Sequence, residues 1–68
     1  MYFFTQVLIK KDGSYDRSTA GFDTRDLAEK EFHQGMVSAI NKQEYDKAIM
    51  FVFDSEGTIK FKRVWERL

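Results

Sequence analysis

The chain has no cysteine and a single histidine, which excludes disulfides, thiolate zinc sites and histidine metal clusters. It has no net charge either. Lys plus Arg and Asp plus Glu each number 11, so no overall field draws it to nucleic acid or anionic lipid, and such binding would need a local patch. Its four glycines are isolated, leaving neither a phosphate-cradling loop nor a nucleophile elbow. Asp12, Asp16, Asp23, Asp26, Asp46 and Asp54 are scattered without calcium-loop spacing or a paired carboxylate on one strand face, and read as turn and cap residues. No catalytic residue, metal ligand or cofactor site is expected. The opening apolar run, MYFFTQVLI, is too short to span a bilayer and lacks a basic leader and a small-residue cleavage site. It reads as a strand, with no membrane role, and the cytoplasm as the expected location.

What is present is aromatic residue: 16% of the 68 positions, seven of them Phe. A chain this short holds one domain, residues 1–68, and buries only about 60% of its unfolded surface, so it needs a further source of stability. Dense aromatic packing is one source and self-association is another.

Helical spacing occurs in one stretch, Phe22 to Lys42. Ala28, Phe32, Gly35, Met36 and Ala39 fall on one stripe at 100° per residue, while Lys30, Gln34 and Asn41 lie opposite. Asp23 is the expected N-cap, with Thr24 as competitor; Asp26 suits the positive end of the dipole, and Phe22 can staple onto Leu27. Gly35 costs roughly 1 kcal/mol against Ala inside a helix, so its place on the stripe implies close approach to a bulky strand residue. Asn41 can end the helix in a left-handed cap.

Two β-like pairs flank that helix. In Tyr2–Lys11 both alternating sets are largely apolar, Phe3, Thr5, Val7 and Ile9 against Tyr2, Phe4, Gln6 and Leu8, as in a central strand covered on both sides. Asp12-Gly13 supplies the positive φ angles of a tight hairpin turn, and the more polar Ser14–Ala20 suits an edge. Ala48–Asp54 repeats the two-sided pattern, with Ile49, Phe51 and Phe53 against Ala48, Met50 and Val52. After the Ser55-Glu56-Gly57 turn, the segment from Ile59 to Glu66 alternates as a half-buried second edge. Following strand direction through the helix gives a ββαββ, two-layer α+β fold with an antiparallel four-stranded sheet in the order 2-1-3-4 and the helix on one face. About 18 helical residues span roughly 27 Å, matching strands of about eight residues.

One helix covers one face. The uncovered face is expected to carry Tyr2, Phe4 and Leu8 with Phe51 and Phe53, or with Met50 and Val52 instead, and such a face marks a partner surface, often a symmetric dimer of stacked sheets. The plainer reading is that edge side chains fold over it and leave scattered exposed aromatics. His33 shares the helix with Asp26 and Glu29, which would suit a general base; a boundary residue that caps or packs accounts for it more simply. Lys60, Lys62, Arg63, Trp65 and Arg67 mix cations with an aromatic platform, the combination that holds single-stranded nucleic acid. Glu56 and Glu66 interrupt the set, no RNP-like or GxxG motif accompanies it, and alternating Lys more often protects a sheet edge.

The arrangement KxDGxxxRS, DTRDLAEKEFHQGM and IMFVFDSEGTIKFKRVWE resembles short proteins of phages, prophages and mobile elements of Gram-positive bacteria. It runs through Asp12, Gly13, Thr24, Ala28, Phe32, His33, Asp54, Gly57 and Trp65, and covers nearly the whole chain. The resemblance carries no catalytic residue. It implies a protein that binds host machinery, defence systems included, or another phage protein. The expected function is a non-enzymatic protein-interaction module, homodimeric or bound to another protein. A single-stranded nucleic-acid binder using the fourth strand is the alternative, and a ligand pocket between helix and sheet a third.

Overall fold

The computed structural model describes residues 1–67. Four strands and one helix follow in the order β1 (Tyr2–Lys10), β2 (Tyr15–Phe22), α1 (Arg25–Asn41), β3 (Tyr45–Asp54) and β4 (Ile59–Glu66). The sheet order is β2-β1-β3-β4 with every neighbouring pair antiparallel, and α1 packs on the sheet. The alternation pattern therefore predicts the architecture correctly. β2 extends past Ala20 because Phe22 pairs opposite Tyr2, and β3 starts before Ala48 because Tyr45 is buried against the core.

The two hairpin turns share one geometry. In the first, the Gly13 N–H donates to the Lys10 carbonyl at 3.0 Å and the Lys10 N–H to the Ser14 carbonyl at 2.8 Å. In the second, the Gly57 N–H donates to the Asp54 carbonyl at 2.9 Å and the Asp54 N–H to the Thr58 carbonyl at 3.0 Å. Each is a three-residue loop closed by a left-handed glycine, Gly13 at φ 90° and Gly57 at φ 87°. Asp12 does not share the positive φ that a two-residue turn requires of both positions, since among the described residues only glycines have one. Its carboxylate instead accepts from the Ser14 hydroxyl at 2.6 Å and the Ser14 N–H at 2.9 Å. The Ser14 side-chain hydrogen bond is the main cause that holds the Asp12 carboxyl below its ordinary value.

Thr24 is the N-cap, its hydroxyl accepting from the Leu27 N–H at 3.3 Å. The expected Asp23 cap is displaced by one residue because β2 runs on to Phe22 and delays the helix. That shift leaves Leu27 on the exposed side, without the staple. Nor does Asn41 adopt a left-handed cap: the C-cap is Lys42 in extended conformation, its N–H donating to the Ser38 carbonyl at 3.1 Å. Arg67 secures this end. Its guanidinium donates to the carbonyls of Tyr45 at 3.1 Å, Ile40 at 3.1 Å and Lys42 at 3.2 Å, placing positive charge at the negative end of the helix dipole.

The core lies between α1 and the two central strands. Ala28, Phe32, Met36 and Ala39 meet Phe4, Leu8, Tyr45, Ala48, Met50 and Val52; Met50 and Val52 are 0% exposed, so side chains fill the space where a ligand pocket was considered. Gly35 has the close approach its position implies. A β-carbon there would lie 3.1 Å from Phe4 Cζ and 3.3 Å from Gln6 Oε1.

Candidate interaction surface

Period-two alternation and the strand registers sort every strand residue onto one of two faces. Under the helix, Ala20, Phe4, Val52 and Phe61 form one cross-strand row, and Asp16, Leu8, Ala48 and Trp65 form another. On the opposite face the rows are Gly21, Phe3, Phe53 and Ile59; then Thr19, Thr5, Phe51 and Lys62; then Arg17, Val7, Ile49 and Val64; then Tyr15, Ile9, Lys47 and Glu66.

That assignment corrects the expected composition of the uncovered face. Phe51 and Phe53 are on it. Phe4 and Leu8 are not: both are buried in the core, and Tyr2 packs half-buried against that core. The β1 residues that belong with Phe51 and Phe53 are Phe3, Val7 and Ile9. Alternation alone does not separate the two sets, since each carries one mid-strand polar residue, Gln6 in one and Thr5 in the other. The structure accommodates Gln6 under the helix because its Nε2 donates to the Ser18 hydroxyl at 2.9 Å and because Gly35 leaves room above it.

The uncovered face is largely apolar across the central strands, interrupted on β1 by Thr5, whose hydroxyl lies 3.1 Å from that of Thr19. The Phe3 and Phe53 rings stack with centroids 5.4 Å apart, and Phe51 lies 6.0 Å from Phe53. Phe3 reaches over Gly21, whose missing β-carbon would sit 3.3 Å from the ring. Ile49, Val7 and Ile9 continue the surface half-buried, while Ile59, Val64 and Tyr15 are more than half exposed, at 55%, 51% and 59%. Arg17, Lys47, Lys62 and Glu66 surround them, with Lys47 opposite Glu66. A face of this kind can bury apolar area against a complementary one.

The other candidates separate in space. Of the cationic set, Lys62 belongs to the uncovered face, while Arg63 and Trp65 share the helix side of β4. Lys60 lies 3.6 Å from Asp54, and the Arg67 guanidinium sits 4.7 Å from the Trp65 ring with its donors turned to backbone carbonyls. The tryptophan expected as a stacking platform therefore packs against the core with Arg67 over it. Alternation explains the split, because consecutive strand residues cannot share a face. His33 is exposed on the outer side of α1, 3.6 Å from Glu29 through Nε2 and edge-on to Phe32. Beside it runs an open depression of about 350 Å³ formed by His33, Gln34, Val37 and Ser38 of the same helix, so no second element faces the imidazole there.

Two further polar groups are strongly organised. The Tyr45 hydroxyl donates to Asp16 Oδ2 at 2.7 Å, and this bond to a carboxylate pushes the tyrosine up to about 12. Asp54 Oδ1 accepts from the N–H groups of Thr58 at 2.9 Å and Glu56 at 3.0 Å. The Thr58 bond is the main cause that holds this carboxyl below its ordinary value. The first ties the start of β3 to the edge strand β2, and the second organises the β3–β4 turn. Among the described residues no helix is long and apolar enough to cross a membrane. No family model, curated protein or solved structure matches the chain.

Proposed function

We propose that this chain is a non-enzymatic protein-interaction module that works by stacking its uncovered sheet face on the same face of a second copy. The observation that carries the reading is the set Phe3, Val7, Ile9, Ile49, Phe51, Phe53, Ile59 and Val64 on one side of a sheet whose helix lies on the other. With strands about 4.8 Å apart and about 3.3 Å per residue, the face measures about 19 by 26 Å, or roughly 500 Å². Two such faces bury roughly 1,000 Å² in total, about the lower bound for a specific interface, which suits a second copy of equal size and a micromolar dimer. A dimer also supplies the stability that a chain of 68 residues gains little of from its own core.

The chemistry of the face favours protein over nucleic acid. Bases stack on aromatic rings, whereas Val7, Ile9, Ile49, Ile59 and Val64 offer branched aliphatic surface that packs best against side chains of the same kind. The partner that the phage-protein resemblance implies, a host protein or another phage protein, would use the same aliphatic surface and is the competing occupant.

Sedimentation velocity tests the proposal over about 1 to 200 µM, the range in which an interface of this size associates. The wild-type protein is expected to dimerise, and Ile49→Lys, which puts a charge in the middle of the face, to be monomeric with unchanged circular dichroism. A wild-type protein that stays monomeric throughout would overturn the self-association and leave the face to a different protein; a mobility shift of single-stranded oligonucleotide by that monomer would replace the reading with nucleic-acid binding.

A further inference from the structure

The uncovered face is not uniform along its strands, and that polarity constrains how two copies meet. At the β3–β4 turn end it carries Phe3, Phe53 and Ile59 beside Gly21, with no charge in the row. At the β1–β2 turn end it carries Tyr15, Lys47 and Glu66, with Arg17 one row inward on the β2 edge. A face longer than it is wide overlaps most when the two sheets stack with their strands aligned to within about 30°. Two families of two-fold axis produce such a stack.

An axis perpendicular to the strands reverses one face on the other. It sets Lys47 over Phe53, Glu66 over Ile59 and Lys62 over Val64 of the second copy, and so takes three charges out of water against apolar groups that give them no hydrogen bond. An axis parallel to the strands, between β1 and β3, keeps like ends together. The Phe3–Phe53 stack then meets its counterpart and extends into a four-ring cluster of the kind aromatic side chains favour. The same operation carries the β2 edge of one copy over the β4 edge of the other, where Arg17 faces Val64 with Glu66 one row further along, within reach of a long guanidinium side chain. Tyr15 falls over Glu66 as well, Lys62 over Thr19, and Lys47 over Ile9, the one charge that this axis sets on an apolar group without a partner.

Resting on the dimer proposed above, we infer that the two copies stack about an axis parallel to the strands, with Arg17 of each copy paired to Glu66 of the other at both edges of the interface. Arg17 and Glu66 are exposed edge residues on the outermost strands, which makes them a pair across the interface and not within one chain. Their exposure also means that substitution leaves the monomer fold intact.

A charge swap tests the pairing. Arg17→Glu and Glu66→Arg are each expected to raise the dimer dissociation constant roughly 5- to 10-fold, and the double variant to return it to within about twofold of wild type, as coupled charge pairs across interfaces do. A double variant as weak as the two single effects combined overturns the pairing. The orientation has an independent measure. The chain has no native cysteine, so Glu56→Cys places one spin label on the exposed β3–β4 turn of each copy. Strand spacing and rise put the two labels within about 25 Å of each other for the parallel axis and about 35 Å or more apart for the perpendicular one. The short distance is expected, and the long one refutes the orientation even in a protein that dimerises well. A wild-type monomer instead removes the dimer itself, so the two failures are told apart by the sedimentation of the unmodified chain.

Discussion

Gly35→Ala sets helix propensity against packing at one atom, and the structure decides which wins. In an isolated helix the change should stabilise by about 1 kcal/mol, because alanine loses less backbone entropy than glycine. Here the new methyl lies 3.1 Å from Phe4 Cζ, 3.3 Å from Gln6 Oε1 and 3.6 Å from Met50 Sδ. Gln6 can swing toward the sheet edge. Phe4 cannot: it is 5% exposed, sits edge-on to Phe32 with centroids 6.3 Å apart, and lies opposite Val52 in the register. To relieve the contact the ring or the helix must shift by a few tenths of an ångström, and overpacking of this kind costs roughly 1 to 3 kcal/mol. The net expectation is a loss of about 1 kcal/mol, or roughly 4 to 8 °C in melting temperature for a domain of this size. Urea unfolding followed by the single tryptophan, in the Ile49→Lys background so that association does not enter, measures it. Shortening the ring by Phe4→Leu should reverse the sign, so that Gly35→Ala then stabilises by about 1 kcal/mol, a coupling of roughly 2 kcal/mol. If Gly35→Ala gains its full propensity increment with Phe4 in place, the close approach of helix to sheet is not the constraint described here.

Two further substitutions probe the polar fastenings. Bonding to Asp16 raises the Tyr45 hydroxyl from 10.0 to about 12 in the folded protein, so its contribution is fully present below the unfolded value and is lost as pH rises through the folded one. Tyrosinate absorbance should show one of the three tyrosines ionising near 12, and Tyr45→Phe should remove both that phase and the corresponding fall in alkaline stability. Completion of all tyrosine ionisation well below that point would count against the bond. Arg67→Lys keeps the charge but loses the fork that reaches the carbonyls of Tyr45, Ile40 and Lys42. It should cost about 1 to 3 kcal/mol and speed hydrogen exchange in the last turn of α1; unchanged exchange there would show that the helix end does not depend on Arg67.

Alternation and helical spacing are local properties, and they carried a long way. The helix stripe of Ala28, Phe32, Met36 and Ala39 is the buried one, and the two-sided strands containing Phe4 and Val52 are the central ones. Boundaries were less legible where a tertiary partner moved them. Phe22 stays in β2 because Tyr2 lies across from it, which passes the N-cap from Asp23 to Thr24. Tyr45 joins β3 and the core with its hydroxyl on Asp16, 29 positions away, a contact that no local pattern contains. The cationic set on β4 had the right residue types for a nucleic-acid surface, yet alternation sends its members to both sides, and Arg67 turns inward to the carbonyls that close the helix.

By itself the sequence determined the kinds of element, their order and the antiparallel pairing, because a period of 2 or 3.6 is written in neighbouring residues. Which side of the sheet the helix covers was decided only by the tertiary structure. Both faces of β1 and β3 are apolar, so composition cannot choose between the Phe3 set and the Phe4 set. β2 and β3 run in the same direction with β1 between them, which makes α1 a crossover connection. The hand of such a crossover follows from the twist of the sheet and not from the pattern of its side chains. That choice buries Phe4 and Leu8, and leaves Phe3, Val7, Ile9, Ile49, Phe51 and Phe53 as the surface through which this protein is proposed to act.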